Sequence, residues 1–190
     1  MKWTLDRTHS EVSFIARHLM VTKVRGVFRD FDAAIEIDED DPRRSQVLVT
    51  IAAASIDTNT PERDAHLRSA DFFDVERFPQ IRFVSRQVDR AEGQGFDLVG
   101  DLTIRDTTRE VTLKGSFEGP ITDPWGNHRL GVSLAGEIDR EAFGLTWNMA
   151  LEPGGVLVGR SIKLAVEAEI VASREQQAEA EAAGAVGSAA

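Results

Sequence analysis

The chain has 190 residues, with 32 acidic residues against 22 basic ones, a formal charge of −10 and 42% hydrophobic residues. That length suits one domain with or without a tail, and the acid surplus argues against nucleic acid or an anionic membrane as a partner. There is no cysteine, which excludes disulfides, thiolate nucleophiles, iron–sulfur clusters and cysteine-based zinc sites.

No stretch approaches the roughly 18 apolar residues of a membrane span. The opening residues, Met1 to Val12, carry Lys2, Asp6, Arg7 and Glu11 and no apolar core, so no signal peptide and a cytoplasmic location are expected.

Period-two alternation recurs eight times along the chain. The apolar rows begin with Val12, Phe14 and Ala16, ending at His18. Phe31, Ala33, Ile35 and Ile37 follow, then Val47, Val49, Ile51 and Ala53. Residues 55–79 form a long connection in which Thr60-Pro61-Glu62 predicts an N-cap and a short helix through about Leu67. That connection also carries Phe72, Phe73 and Phe78, and a loop so apolar is expected to fold over one end of the structure.

The fourth row is Ile81 and Phe83, with Ser85 and Gln87 on the same parity. Phe96 to Ile104, Val111 to Phe117, Leu130 to Ile138 and Ile162 to Ile170 complete the series. Residues 139–160 are a second long link, carrying Phe143, Trp147 and Met149. Turn signals at Asp38–Pro42, Asp89–Gly95, Asp106–Thr108 and Pro120–Asn127 make successive strands antiparallel neighbours. The pattern predicts an all-β fold, an eight-stranded antiparallel up-and-down barrel with a short helix in the 55–79 connection; closure removes the exposed edges. Residues 1–172 form the barrel domain, and 173–190 an Ala/Glu-rich tail with no apolar stripe, expected to be disordered.

Catalytic motifs are scarce: there is no G-x-S-x-G, Walker loop, G-x-G-x-x-G or H-E-x-x-H. The four histidines, His9, His18, His66 and His128, lack the spacing of a local metal clip, so no metal is expected. His18 ends an apolar row, either as a core histidine bonded to a carbonyl or as a polar handle at a cavity mouth. Arg63 and Asp64 pair with each other, pin the loop, or touch a ligand. Trp147 and Met149 share strand parity and are either ordinary packing or a pocket wall.

Several segments together resemble the YceI-like bacterial proteins. They are W-x-L-D-x-x-H-S at Trp3–Ser10, Arg17-His18-Leu19, V-R-G-x-F at Val24–Phe28, and RDAHLRSADFF at Arg63–Phe73. Phe78-Pro79 with Ile81, Phe83 and Ser85, GDLTIRDTTREVTL at Gly100–Leu113, DPWG at Asp123–Gly126, and Ile138 through Asn148 extend the likeness over about residues 1–171. The resemblance implies a lipocalin-like barrel that binds polyisoprenoid lipid; many members carry a leader peptide.

On that expectation the inward rows line a lipid cavity. Phe14, His18 and Phe31 come from the first two rows, Ile51, Phe83 and Leu102 from the next three. Leu113, Gly115 and Phe117, then Leu134 and Gly136, and finally Leu164 complete the rows, with Trp147 and Met149 from the second long link. Arg63, Asp64, His66, Phe72 and Phe73 form the lid. The small inward residues, Gly115 and Gly136 among them, are expected to leave an elongated void. The expected function is non-catalytic binding, sequestration or transport of a polyisoprenoid, such as an isoprenoid quinone tail or a prenyl chain, with no cofactor beyond that lipid. An enzyme acting on such a lipid, or a ligand-free interaction module with a filled barrel, are the alternatives. A homodimer is compatible with the sequence.

Overall fold

The computed structural model describes residues 2–19, 21–38, 41–90, 93–150 and 155–172, and the tail from Ser173 lies outside the described residues. The described residues form ten strands and one α-helix: β1 Lys2–His18, β2 Thr22–Phe28, β3 Phe31–Glu36, β4 Gln46–Ala52, β5 Ile56–Asp57, α1 Pro61–Arg68, β6 Gln80–Arg90, β7 Gly95–Ile104, β8 Thr107–Thr122, β9 His128–Asp139 and β10 Val158–Ala172. Among the described residues no helix is long and apolar enough to cross a membrane.

Eight strands close into an antiparallel ring in chain order: β1, β3, β4, β6, β7, β8, β9 and β10, sealed by β10 pairing with β1. These eight are the eight alternating runs. The two further strands escape the alternation pattern because β2 ends in a glycine-containing stretch and β5 has two residues. β2 and β3 lie end to end along β1: Val12–His18 pairs with Thr22–Phe28, and Lys2–Thr4 with Ala34–Glu36. β5 then pairs with β2 and delivers the chain to α1.

Two of the register shifts in the ring bear on which side chains face inward. In β1 the register with β10 passes from Asp6 opposite Glu169 to Glu11 opposite Glu167, so residues 7–10 bulge. Asp6 holds that bulge by accepting from the Thr8 hydroxyl at 2.6 Å, while the Ser10 hydroxyl donates to the Asp6 carbonyl at 2.6 Å and accepts from the Glu169 N–H at 3.1 Å. In β6 a bulge follows Ser85, so Gln87 is exposed and Val88 turns to the core, the reverse of the expected parity. The Ser85 hydroxyl accepts the Val47 N–H at 2.8 Å from β4.

The helix starts at Pro61 as expected, but the Thr60 side chain does not cap a backbone N–H. Its hydroxyl accepts from Arg63 Nη2 at 2.9 Å instead. The barrel has two distinct ends. Trp3, Ile170 and Ala172, with Leu5, Ile35 and Leu130 against them, fill one end. The other carries the β1–β2 hairpin, α1 with residues 69–79, and residues 140–150 and 155–157 of the second long link, and the larger apolar cluster lies beneath it.

Candidate functional site: an apolar cavity with a polar vestibule

Alternation around a closed ring puts one hydrocarbon row of every strand into a common interior. These rows do not meet at the centre. They enclose a cavity of about 210 Å³, walled by Val12, Phe14 and Ala16 of β1, Val47, Val49 and Ile51 of β4, Ile81 and Phe83 of β6, and Leu98, Leu102 and Ile104 of β7. Val111 and Leu113 of β8, Leu134 and Ile138 of β9, and Ile162, Leu164 and Val166 of β10 complete the wall, and Ile56, Leu67, Phe72, Phe73 and Leu145 close it from the lid side. Among the described residues Ser13 and Arg140 are the only wall residues with a polar side chain. Among the described residues no carboxylate or imidazole borders the space, so this wall offers mainly hydrocarbon contact.

A second space of about 170 Å³ lies at the lid end, and Phe14, Ala16, Leu67, Phe72 and Val158 border both. Its remaining wall is of another character: Arg17 and His18 from β1, Val24 from β2, Thr58, Arg63 and His66 from the α1 region, and Trp147 and Leu157 from the second long link. An aromatic trio stands here. The His66 ring is 4.6 Å from Trp147 and 5.1 Å from Phe72, both edge-on, and Phe72 is 5.4 Å from Trp147. Asp71 orients the imidazole, its Oδ2 lying 2.9 Å from Nε2.

The lid is fixed through Thr58. Asp64, buried on α1, accepts from the Thr58 N–H at 2.9 Å and from its hydroxyl at 2.5 Å. Arg63 donates from Nε to the Thr58 hydroxyl at 2.7 Å and from Nη2 to the Thr58 carbonyl at 2.8 Å. The two residues thus pin the loop through a shared threonine rather than through each other. A buried arginine does the same for the other long link. Arg140 donates to the carbonyls of Gly159 at 3.0 Å, Trp147 at 3.0 Å and Val158 at 3.3 Å, and to that of Leu145, which holds the Trp147 segment against the start of β10. Burial lowers the Arg140 pKa, opposed by Glu141 and Asp139.

The expected site residues divide into three groups. Phe14, Ile51, Phe83, Leu102, Leu113, Leu134, Leu164, Phe72 and Phe73 border the cavity. His18, Arg63, His66 and Trp147 border the vestibule. Phe31, Asp64, Gly115, Phe117, Gly136 and Met149 border neither. Phe31 is buried in the core, Asp64 is turned to Thr58, and Met149 is 54% exposed at the rim. The glycines correct a specific expectation. Phe96 lies across Gly115, where a Cβ would come within 2.3 Å of the ring, and a Leu113 methyl fills the space above Gly136 at 2.5 Å from a Cβ. Large neighbours therefore occupy the room those glycines leave, and the void lies between the larger side chains instead.

Val49, Ile162 and Val166 were legible in the inward rows without standing out. Arg140 carries no sequence signal of its role, because a charged residue in a long link reads as surface until its four carbonyl partners are placed.

The YceI-like domain family matches residues 3–170. The chain belongs to that family. A UPF0312 protein of Staphylococcus aureus (strain USA300) is 40% identical over 168 residues, covering 88% of this chain and 95% of that one. Among solved YceI-like folds and their neighbours, BcnA of Burkholderia cenocepacia superposes with a TM-score of 0.75 at 22% identity, covering 89% of this chain and 99% of that one. A polyisoprenoid binding domain from Saccharophagus degradans does so with a TM-score of 0.64 at 12% identity, covering 90% of this chain and 98% of that one. Those likenesses bear on the fold.

Proposed function

We propose that this YceI-like protein binds one long apolar lipid, a polyisoprenoid such as an isoprenoid quinone tail or a prenyl chain, and sequesters or carries it without chemical change. The observation that carries this reading is the cavity of about 210 Å³ with hydrocarbon on nearly every wall, continued by a vestibule of about 170 Å³ where polar groups begin. A chain with an apolar tail and a polar end matches that order of surfaces. The solved neighbour described as a polyisoprenoid binding domain supports the ligand class.

The energetics need few polar contacts. Each buried five-carbon unit contributes on the order of 3–4 kcal/mol gross. Two or three such units outweigh the entropy of ordering the ligand. Selectivity then rests on the width set by Phe14, Phe83 and Leu134, and not on a hydrogen-bond code.

Native mass spectrometry of the protein purified from its host, followed by solvent extraction, tests the reading. The expected result is a mass excess that extraction removes and that proves to be an isoprenoid. Protein that carries no lipid and, after delipidation, leaves a fluorescent prenyl probe unbound would remove the basis for it.

A further inference from the structure

The acid surplus of the whole chain hides a local reversal. Residues 12–29 contain Arg17, His18, Lys23, Arg25 and Arg29 and not one of the chain's 32 acids. They form the β1–β2 hairpin, in which Arg17 stands directly opposite Lys23, and Ile15 lies between Arg25 on β2 and Lys163 on β10. All four cations are exposed, and Arg17 also borders the vestibule mouth. Like charges set opposite each other on a sheet are destabilising. Several surface arginines elsewhere in the protein meet carboxylates, as Arg86 meets Asp101 at 2.7 Å and Arg160 meets Asp139 at 2.6 Å, and Arg29 at the end of this segment meets Asp57 at 3.0 Å. Among the described residues no ion pair neutralises Arg17, Lys23, Arg25 or Lys163. The fold thus leaves Arg17, Lys23 and Arg25 of the hairpin without a carboxylate partner, while Lys163 at its edge has Glu137 opposite it on β9.

The same hairpin ends in exposed hydrocarbon. Leu19 is 42% and Val21 78% exposed. The Leu19 N–H donates to the Leu157 carbonyl at 2.8 Å, and the Leu157 N–H to the Met149 carbonyl at 2.9 Å, which sets Met149, 54% exposed, on the same ledge. His18 and Leu157 line the vestibule, so this ledge is its rim.

We infer that the β1–β2 hairpin is a docking surface for a bilayer bearing anionic lipids, with Leu19, Val21 and Met149 entering the interface and Arg17, Lys23, Arg25 and Lys163 meeting the head groups. Charge complementarity and protruding apolar side chains are the two components of peripheral membrane attachment, and each basic residue near an anionic surface contributes measurably. A polyanion such as nucleic acid gains nothing from the apolar rim. The other exposed apolar patch, Ile121 and Trp125 on the β8–β9 hairpin, lies at the opposite end of the barrel. There Arg129 is already engaged by Asp6, Asp123 and Glu169, so that end does not complement an anionic surface. Docking by the rim would place the cavity mouth on the membrane; that consequence rests on the lipid-binding reading, whereas the docking itself does not.

Co-sedimentation of the full chain with phosphatidylcholine vesicles, with and without phosphatidylglycerol, tests the inference. The expected result is binding to the mixed vesicles only, weakened by salt. Lys23→Gln/Arg25→Gln, at two residues that border neither space, should lower the partition coefficient about thirtyfold, about fivefold for each basic residue. Its melting temperature should hold or rise, since a repulsive pair is relieved. Val21→Asn should also weaken binding, and Trp125→Ala should leave it unchanged. No binding to the mixed vesicles, equal binding by the double variant, or loss on Trp125→Ala overturns the inference, as does binding of a DNA oligonucleotide in place of vesicles. Titration of the same proteins with a fluorescent prenyl probe in the absence of vesicles reports separately on the cavity.

Discussion

Val166 and Gly115 both face the barrel interior, but the space in front of them differs. Val166 sits between Val12 and Leu134 across the strands and borders the cavity. Gly115 lies under the Phe96 ring and does not. Val166→Phe adds four carbons, close to the size of one isoprene unit, into the 210 Å³ that a ligand would occupy. In an open cavity the ring buries itself without displacing neighbours, so the stability of lipid-free protein should hold or rise, by up to about 2 kcal/mol. The ligand loses room for roughly one unit, about 3 kcal/mol at about 0.8 kcal/mol per carbon, or on the order of a hundredfold in affinity. Gly115→Ala should do the opposite. A methyl 2.3 Å from Phe96 Cζ forces that ring aside. The cost is about 1–3 kcal/mol, a few degrees in melting temperature, with probe affinity nearly unchanged. Thermal melts of delipidated protein paired with prenyl-probe titrations separate the two. A Val166→Phe variant that loses stability and keeps its affinity would show a filled interior and refute the carrier reading.

Three further outcomes follow from the walls and ends of the barrel. Arg140→Ala strips donors from four carbonyls and should cost on the order of 3–4 kcal/mol in denaturant unfolding; Arg140→Lys should restore little, since one ammonium replaces a fork that reaches all four. Trp147→Ala removes a vestibule wall and its contact with His66, and stopped-flow displacement should show release of a prenyl probe about tenfold faster, the equivalent of about 1.4 kcal/mol. The Asp123 pKa is raised by burial, but hydrogen bonds from Asn127, Arg129 and the Trp125 N–H outweigh this and bring it down to about 2. A group depressed on folding contributes stability above its unfolded pKa of 3.8 and loses it as pH falls through about 2. Melting temperature should therefore fall between pH 4 and pH 2, and Asp123→Asn should melt lower at pH 7 with a flatter acid slope; an unchanged slope would refute the assignment.

The ring was legible because closure demands what alternation displays: eight rows of one parity, each long enough to cross a barrel. The corrections arise where a residue's surroundings come from distant chain. At Gln87 the parity is broken by a bulge whose cause is pairing with β7, which no local pattern encodes. At Gly115 the sequence shows a small residue on the inward row, and small residues suggest a void. Whether a void exists depends on the rotamer of Phe96 across the sheet. The phenylalanines of the 55–79 connection point to its place over one end of the barrel, but the way that connection is held has no local signal. Asp64 and Arg63 are adjacent and opposite in charge, which suggests a pair, and only the fold brings Thr58 between them.

Net charge bears on the proposed docking in a related way. A sum over 190 residues says how a protein behaves at distances beyond the screening length, whereas a docking face acts within it, at about 8–10 Å in physiological salt. The sign of the hairpin therefore matters more for contact than the −10 of the whole chain. The two are not in conflict. A negative body with one positive rim is a dipole, and a charged surface orients a dipole before it binds it. An anionic bilayer would repel this barrel in most orientations and accept it with the β1–β2 hairpin foremost, which is the orientation that brings Leu19, Val21 and Met149 to the interface. The uncompensated Arg17–Lys23 pair has a small cost in the free protein, and only that arrangement gives the rim its sign.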